Sequence, residues 1–329
     1  MAKSILGVEI GTRRIKLVQV SGTEAEKFLT VQVPEDNVKS DTIIAWDAMA
    51  ETLKGALKDG GFTAKKAALV VPDSAAYVRR MIMPAMTESQ LMVNLPYEFR
   101  DFIQDDKDKY SFDYAMIEMK YTGENADTPT DMELIGAAMP KALLEQYTEL
   151  FNHAGLRLIK AVPRIIALQN LIRSLSEENL KTDMAILDLG YGVTKVDIFR
   201  NGIYEVTRSI DIGLKDVALA ISNKLNCDPH IASSYLNSNQ NDVLESQECR
   251  EVYSQIAVEI MRAVNYYTYE NQGSSLDKLY YNGFGSWIKP LIQEISDSVQ
   301  LTLIPLSDFK ATEKEALLNN AAAIGACLD

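Results

Sequence analysis

The stretch GVEIGT, residues 7–12, is repeated in outline by LDLGYG, residues 187–192. In each stretch an acidic residue, Glu9 or Asp188, ends an apolar strand pattern, and a glycine, Gly11 or Gly190, follows two positions later. Glycine at such a turn lets backbone N–H groups approach an anion without a Cβ in the way. The carboxylate can hold Mg²⁺ through its waters, because Mg²⁺ dehydrates reluctantly. The repeat therefore predicts two phosphate-binding hairpins, facing one another from two halves of the chain.

The sequence around each hairpin has a similar order of elements. Around the first, the pattern predicts three strands joined by tight turns (4–8, 15–20 and 28–33), then an amphipathic helix that includes Trp46 and Leu57, then a buried strand at 67–71. Around the second, it predicts strands at 184–187, 193–199 and 203–209, with Asn201-Gly202 as a hairpin turn. Helices over 214–271, a strand at 279–281 and a helix at 316–326 complete the second half.

The segment 84–162 has a different pattern, α-β-β-α-β, and is predicted to be an inserted small α+β subdomain. Thr87 and Gln90 form a capping-box pattern that starts a helix, which Pro96 should kink or split. The helix carries a wide apolar face made of Leu91, Leu95, Phe99, Phe102 and Ile103. That face predicts an apolar groove for an extended peptide, at the seam with the three-stranded meander of the first lobe. The alternative is that these side chains are the core of the subdomain itself.

Composition excludes several classes of protein. The 329 residues suit about two domains. The formal net charge of −13 argues against general binding of nucleic acid. We find neither an apolar run of the ~18 residues that a membrane span needs nor the pattern of a signal peptide. Cys227, Cys249 and Cys327 are far apart and accompanied by only two histidines (His153 and His230), so we expect reduced structural thiols and no Cys/His metal cluster.

These features resemble the actin-like ATPase superfamily, in which two related lobes close on ATP. The two acid-x-Gly hairpins are similar to its phosphate loops, and residues 282–286, NGFGS, are similar to its adenosine loop. Residues 162–172 and 321–328 are similar to the two connecting helices. Within the superfamily the chain is similar to the PilM family of type IV pilus assembly proteins. That likeness lies in residues 11–18 (GTRRIKLV), 83–86 (MPAM) leading into the Glu98-Phe99 helix, and 259–267 (EIMRAVNYY).

The resemblance implies an α/β two-lobed actin-like (ribonuclease-H-like) fold. The expected domains are a first lobe at 1–83, the insertion at 84–162, a connecting helix at 163–182, and a second lobe at 183–329 with a helical subdomain at about 214–275. ATP and Mg²⁺ would bind between the lobes, with the metal held through water by Glu9 and Asp188. The implied nucleotide-binding residues are Glu9, Gly11, Thr12, Arg13, Lys16, Asp188, Gly190, Gly192, Thr194, Glu259, Arg262, Gly283, Gly285 and Ser286.

The resemblance also implies a function: a cytoplasmic nucleotide-binding scaffold of type IV pilus assembly, peripheral at the inner face of the cell membrane. Such a scaffold docks the cytoplasmic tail of a membrane-bound PilN-like partner, contacts the pilus assembly motor, and reaches the membrane only through partners. This chain has Glu9 where the family usually has Asp, and Arg13 and Arg14 where small hydroxyl residues are usual. Pro163-Arg164 stands where relatives that hydrolyse ATP often place a water-orienting side chain. We therefore expect slow ATP hydrolysis or none.

Two other functions fit the same superfamily. An FtsA-like filament-forming ATPase would have a basic amphipathic helix after a linker, whereas the sequence ends Ala326-Cys327-Leu328-Asp329 directly after the connecting helix. A small-molecule kinase would need a catalytic aspartate and a substrate pocket. Single residues also have simpler interpretations. Asp188 could be a turn residue, and Glu259 and Arg262 could be an exposed helix pair worth about 0.2–0.5 kcal/mol.

Overall fold

The computed structural model describes residues 4–34, 37–39, 42–121, 128–175, 181–309 and 314–328. The chain forms two compact units. Unit 1 comprises Met1–Asn170 and Ala322–Asp329, and unit 2 comprises Leu171–Ala321. The unit boundaries fall at Asn170/Leu171 and Ala321/Ala322, so the last residues of the chain pack with unit 1 and not with the second lobe, where 183–329 had been predicted to lie.

The helices and strands of the first part of the chain follow the predicted order with a few additions. They are β1 (Ile5–Ile10), β2 (Arg14–Ser21), β3 (Glu24–Gln32), β4 (Val38–Lys39), β5 (Thr42–Ile43), α1 (Trp46–Asp59), β6 (Lys66–Val71), β7 (Tyr77–Pro84), α2 (Glu88–Asn94), β8 (Tyr110–Lys120), β9 (Asp131–Pro140), α3 (Lys141–His153), β10 (Arg157–Pro163) and α4 (Arg164–Leu175). Short 3₁₀ turns at Leu95–Phe99 and Lys107–Lys109 follow α2. Strand β7 lies outside the predicted elements.

Unit 1 is built on a five-stranded sheet with the order β10-β6-β1-β2-β3. The strands β1, β2 and β3 form an antiparallel meander, while β6 and β10 run parallel to β1. Helices α1 and α3 cover this sheet with an apolar face that includes Met49, Leu53, Tyr147 and Phe151, all buried. The predicted β-β-β-α-β order is confirmed by these pairings.

Unit 2 repeats the same sheet. Its elements are β11 (Met184–Leu189), β12 (Thr194–Arg200), β13 (Ile203–Ile210), α5 (Leu214–Leu225), α6 (Pro229–Ser238), α7 (Gln247–Glu270), β14 (Lys278–Asn282), α8 (Lys289–Ser298), β15 (Thr302–Pro305) and α9 (Lys314–Gly325), the last of which continues into unit 1. The sheet order is β13-β12-β11-β14-β15, again an antiparallel meander followed by two parallel strands. The fold of unit 2 therefore duplicates that of unit 1, as the repeated hairpins predicted.

The inserted sheet has different limits from those predicted. It consists of β7, β9 and β8 in that order, so it begins at Tyr77 and ends at Pro140, not at 84 and 162. Strand β10 pairs with β6 in the five-stranded sheet, and α3 packs into the core of that sheet. The last two elements assigned to the insertion thus belong to the lobe, because apolar patterns alone do not say which sheet a strand will join.

The helical part of the insertion follows the local signals in its sequence. The Thr87 hydroxyl accepts from the Gln90 N–H and the Gln90 side chain accepts from the Thr87 N–H, which completes the capping box. Helix α2 ends at Asn94, and a 3₁₀ turn that contains Pro96 follows it. Pro96 therefore splits the helix, as predicted.

Unit 1 contains two places where backbone packs directly on backbone. A Cβ on Gly7 of β1 would lie 1.9 Å from the carbonyl oxygen of Ala323. A Cβ on Gly325 would lie 1.8 Å from the carbonyl oxygen of Ala167 in α4. The end of α9 is thereby held against both β1 and α4, which explains the small-residue composition of 321–327.

Within the described part of the chain, no helix combines the length and the apolar character needed to cross a lipid bilayer.

Candidate functional site

The first acid-x-Gly hairpin is β1 and β2 with the turn between them. Glu9 lies directly opposite Lys16 in the strand register, and the Lys16 Nζ donates to Glu9 Oε1 at 2.8 Å. The turn is closed by Gly11, whose N–H donates to the Arg14 carbonyl at 2.9 Å. Thr12 and Arg13 are the two residues at its tip. The lysine thus neutralises the acid at the end of the strand, and Lys16 does not stand alone on a solvent face.

The second hairpin, β11 and β12, has the same register. Asp188 lies opposite Lys195, seven positions later, as Lys16 follows Glu9. In this register Thr194 pairs with Leu189 and occupies the position that Ile15 has in the first hairpin. Thr194 is buried within the sheet.

The start of helix α5 holds the tip of the second hairpin. The N–H of Leu214 donates to the Gly190 carbonyl at 3.2 Å, and that of Lys215 donates to the Tyr191 carbonyl at 2.7 Å. A Cβ on Gly190 would lie 2.5 Å from the Val193 carbonyl oxygen, so the tight turn requires glycine there. Gly192 completes the turn. These contacts fix the conformation of the turn against the start of α5.

The loop after β14 packs against Asp188. Asn282 is the register neighbour of Asp188, and a Cβ on Gly283 would lie 2.6 Å from Asp188 Oδ1. Gly283 has φ +93°, a conformation that other residues rarely adopt, and its N–H donates to the Leu318 carbonyl at 3.1 Å. The predicted second phosphate loop and the predicted adenosine loop therefore lie side by side in unit 2.

Two polar side chains of this loop are buried without a hydrogen-bond partner among the described residues. Asn282 and Ser286 are each 7% exposed, and neither the Asn282 Nδ2 nor the Ser286 Oγ is bonded. A buried polar group without a partner costs about 1–3 kcal/mol. Gly285 packs against Leu189, Leu214 and Leu291, and the two unpartnered groups suit a ligand that brings its own hydroxyls and acceptors, such as a nucleoside.

The predicted pair on helix α7 lies on its exposed side. The Arg262 guanidinium donates to the Glu259 carboxylate, and both side chains are substantially exposed. The opposite face of α7, with Ile256, Ile260 and Tyr267, is buried. A nucleotide contact for Glu259 and Arg262 stays a prediction.

Unit 1 also contains a groove of about 820 Å³. Its walls are the end of the inserted sheet, strand β10, and parts of α3 and α4. The lining is Val71, Ala76, Ser111, Phe112, Asp113, Tyr114, Ala115, Ile135, Ala137, Ala138, Met139, Leu144, Thr148, Leu158, Ile159, Lys160, Ala161, Val162, Pro163, Ile166, Asn170 and Leu328. Most of these side chains are apolar, and several are alanines, which leaves room for the larger side chains of a ligand.

The groove does not lie where the sequence placed it. Of the predicted groove-forming face, Leu91, Leu95, Phe99 and Ile103 are buried in the core of the insertion, and only Phe102 is exposed. Those residues cover one face of the β7-β9-β8 sheet, whereas the groove has the residues of the other face, such as Ile135 and Ala137. It is bordered by β10, which is at the end of the five-stranded sheet opposite the meander. Sequence reasoning missed this site, because its residues come from six separate helices and strands and share no motif.

A charged cluster lies on the same sheet as the groove. The buried Glu133 carboxylate of β9 accepts from Arg80 of β7 and from Lys120 of β8. Burial favours a higher pKa for Glu133, but the hydrogen bonds from Lys120 and Arg80 outweigh it and hold the pKa below its usual value. With Glu118, whose Oε1 lies 3.8 Å from the Lys120 Nζ, the cluster contains two cations and two acids and offers little net charge to a ligand.

The described parts of the chain contain no group of three or more His, Cys, Asp or Glu side chains that could hold a metal ion. The three cysteines are free, and burial raises the pKa of Cys327 to about 12. A thiol that stays protonated is a poor nucleophile and a poor ligand.

Two units with the same sheet order, each with an acid-Gly hairpin at the end of its central strand, define an actin-like ATPase fold. The chain belongs to the family of type IV pilus assembly proteins PilM, whose model matches residues 7–322. No curated protein sequence matches it.

Among the solved structures that share the fold, two examples match over nearly the whole chain. One is a PilM-PilN type IV pilus biogenesis complex, with 20% identity and a TM-score of 0.81 over 98% of this chain and 97% of that chain. The other is the ethanolamine utilization protein EutJ from Carboxydothermus hydrogenoformans, with 14% identity and a TM-score of 0.60 over 98% and 88%.

Proposed function

We propose that this protein is a scaffold of type IV pilus assembly that captures the cytoplasmic tail of a PilN-like membrane protein in the groove of unit 1. Family membership over residues 7–322 carries the proposal. The similar solved structure is described as a complex of PilM with PilN, which supports a partner of that class here. Attachment to the inner face of the membrane would then come through the partner, and contact with the assembly motor belongs to the same proposal.

The shape and lining of the groove support an extended peptide as its occupant. Strand β10 contributes six consecutive residues, 158–163, to one wall, which is about 20 Å of strand at ~3.3 Å per residue. The alanines Ala115, Ala137 and Ala161 leave space in which one or two larger apolar side chains of the tail can be buried. Apolar pockets of this kind give specificity in peptide recognition.

Filling the groove should abolish tail binding. Ala137 is half-buried on the groove face, so Ala137→Phe places a ring where the anchors of the tail would sit. We expect at least about a hundredfold loss of affinity, which corresponds to about 2.7 kcal/mol. Isothermal titration calorimetry with a synthetic peptide of the cytoplasmic tail of the PilN-like protein from the same organism measures it.

The matched control is Ala48→Phe, on the exposed side of α1 and away from the groove. It should bind the peptide as the unchanged protein does. Equal affinity of the Ala137→Phe protein would place the tail elsewhere and contradict the proposal.

We also propose ATP with Mg²⁺ as the ligand of the acid-Gly loops. The unpartnered Asn282 and Ser286 support a nucleotide in unit 2, and the close packing of Gly283 against Asp188 brings their loop beside the acid of the second hairpin. Asp188 would hold the metal through water, and the metal would neutralise phosphate charge. The corresponding metal role in the first hairpin would fall to Glu9, whose Oε1 accepts from Lys16. Thr12 and Arg13 in the first hairpin, and Gly190 and Gly192 in the second, would offer backbone N–H groups or charge to phosphate, while Gly11, whose N–H donates to the Arg14 carbonyl, would keep the turn closed.

Turnover should be slow. Arg164, in the segment where hydrolysing relatives often orient water, is buried and its guanidinium is bonded to Asp73, so it has no freedom to serve a water molecule. We expect the purified protein to hydrolyse ATP well below ~1 s⁻¹, the lower end of typical enzyme rates. A coupled phosphate-release assay measures this, and steady hydrolysis above that rate would contradict the proposal.

A further inference from the structure

The groove is bordered by two open strand edges. On β8, the five consecutive residues Ser111–Ala115 line it, and on β10 the six residues 158–163 do so. Successive side chains of a strand point to opposite faces of the sheet. Because consecutive residues of β8 and of β10 line the same groove, each strand turns its backbone edge toward the groove. In the described sheets β8 pairs with β9 alone and β10 pairs with β6 alone. Both strands therefore have an unpaired edge.

One hydrogen bond shows which backbone groups of β8 point outward. The Tyr114 N–H donates to the Asp113 Oδ1 at 2.8 Å, and so it does not serve the ladder to β9. In an antiparallel pair, the N–H and C=O of one residue point together, either toward the neighbouring strand or away from it. Tyr114 therefore faces away from β9. The register is regular from Tyr110 to Met116, so Phe112, two positions earlier, faces away as well.

We propose that the partner tail binds as an added strand on the edge of β8, with main-chain hydrogen bonds to Phe112 and Tyr114. This inference rests on the proposed capture of a tail in the groove and specifies how the tail is held. The Asp113 carboxylate covers the Tyr114 N–H while the groove is empty, and the arriving strand displaces it. The tail then inserts between two sheet edges, with its apolar side chains toward the alanine-rich wall and β10.

Charge favours one kind of occupant. Of the two charged side chains that line the groove, Lys160 donates to the Leu328 carbonyl, whereas the exposed Asp113 carboxylate needs a new partner once it is displaced from Tyr114. The whole chain carries a formal net charge of −13. A tail with a lysine or arginine next to its strand-forming residues would satisfy the carboxylate and be attracted by the protein. The occupant is therefore an extended, apolar and basic segment, and a second copy of this acidic chain fits less well.

Residue-resolved amide hydrogen exchange tests the proposal on the unchanged protein. With saturating peptide of the cytoplasmic tail from the PilN-like protein of the same organism, exchange at Phe112 and Tyr114 should slow at least about tenfold. The Asp113 amide is the internal control: it points to β9, is already protected, and should change little.

Two variants test whether the Tyr114 N–H contributes to the affinity for the peptide. Tyr114→Pro removes the outward N–H, and proline is tolerated on a strand edge where no ladder bond is lost. Tyr114→Pro should lower the affinity for the peptide at least about tenfold. Tyr114→Ala keeps the N–H and removes the ring, and it should bind nearly as the unchanged protein does. If the proline variant does not fold, the exchange measurement alone decides.

The possible outcomes distinguish strand addition from the proposal on which it rests, the capture of the tail in the groove. If the peptide does not bind, or binds the Ala137→Phe protein equally well, both fail. If Ala137→Phe abolishes binding while Phe112 and Tyr114 exchange at the same rate with and without peptide, the groove is correct and strand addition is wrong. Protection that appears without peptide and rises with protein concentration would assign the edge to a second copy of the chain and overturn the inference.

Discussion

Replacing Gly325 by alanine should destabilise the protein by about 3 kcal/mol, the upper part of the usual range for an overpacked core. The new Cβ would lie 1.8 Å from the carbonyl oxygen of Ala167, and a backbone group cannot move aside as a flexible side chain can. Gly7→Ala should have an effect of the same size, because its Cβ would lie 1.9 Å from the Ala323 carbonyl oxygen. Urea denaturation followed by circular dichroism measures both.

A third glycine is the matched control. Gly55 lies on the exposed side of α1, and a Cβ there would meet no atom within 4 Å. Gly55→Ala should therefore stabilise the protein, by about 0.5–1 kcal/mol, because alanine loses less backbone entropy in a helix. If Gly325→Ala and Gly55→Ala shifted the urea midpoint in the same direction, the close contact of α9 with α4 would be refuted.

Removing the charge of Asp188 should abolish the stabilisation of the protein by MgATP. A ligand that binds only the folded state at a hundredfold excess over its dissociation constant adds about 2.7 kcal/mol to the free energy of unfolding. Asp188→Asn keeps the size of the side chain against Gly283, so the ligand-free protein should stay close to its original stability. The charge that would hold the hydrated metal is lost. Thermal unfolding with and without millimolar MgATP measures the difference.

Asp297→Ala is the control for this experiment, since Asp297 is an exposed acid of unit 2 on α8. Its shift with MgATP should equal that of the unchanged protein. A full MgATP shift in the Asp188→Asn protein would contradict the role of Asp188. If MgATP did not shift the thermal unfolding of the unchanged protein, the nucleotide proposal would be wrong, and the proposal of a tail groove would not be affected.

The sequence by itself determined the features that depend on near neighbours in the chain. The capping box at Thr87, the break at Pro96 and the Asn201-Gly202 turn, with φ 53° and 71°, all follow from local backbone chemistry. The repeated acid-Gly hairpin was visible because its two strands are joined by a short turn. That repeat was enough to predict a duplicated α/β fold and the residues of two candidate phosphate loops.

Only the tertiary structure decided which strands become sheet edges and where backbones touch. Strand β10 reads in the sequence as the end of the insertion, yet it pairs with β6, and its free edge borders the groove with β8. In the sequence, nothing distinguishes Gly7 and Gly325 from other glycines. Their close contacts with the backbone of Ala323 and Ala167 are seen only in the folded structure. Edge positions and close approaches arise from pairing between residues far apart in the chain, and an apolar pattern specifies that a segment is buried but not against which partner.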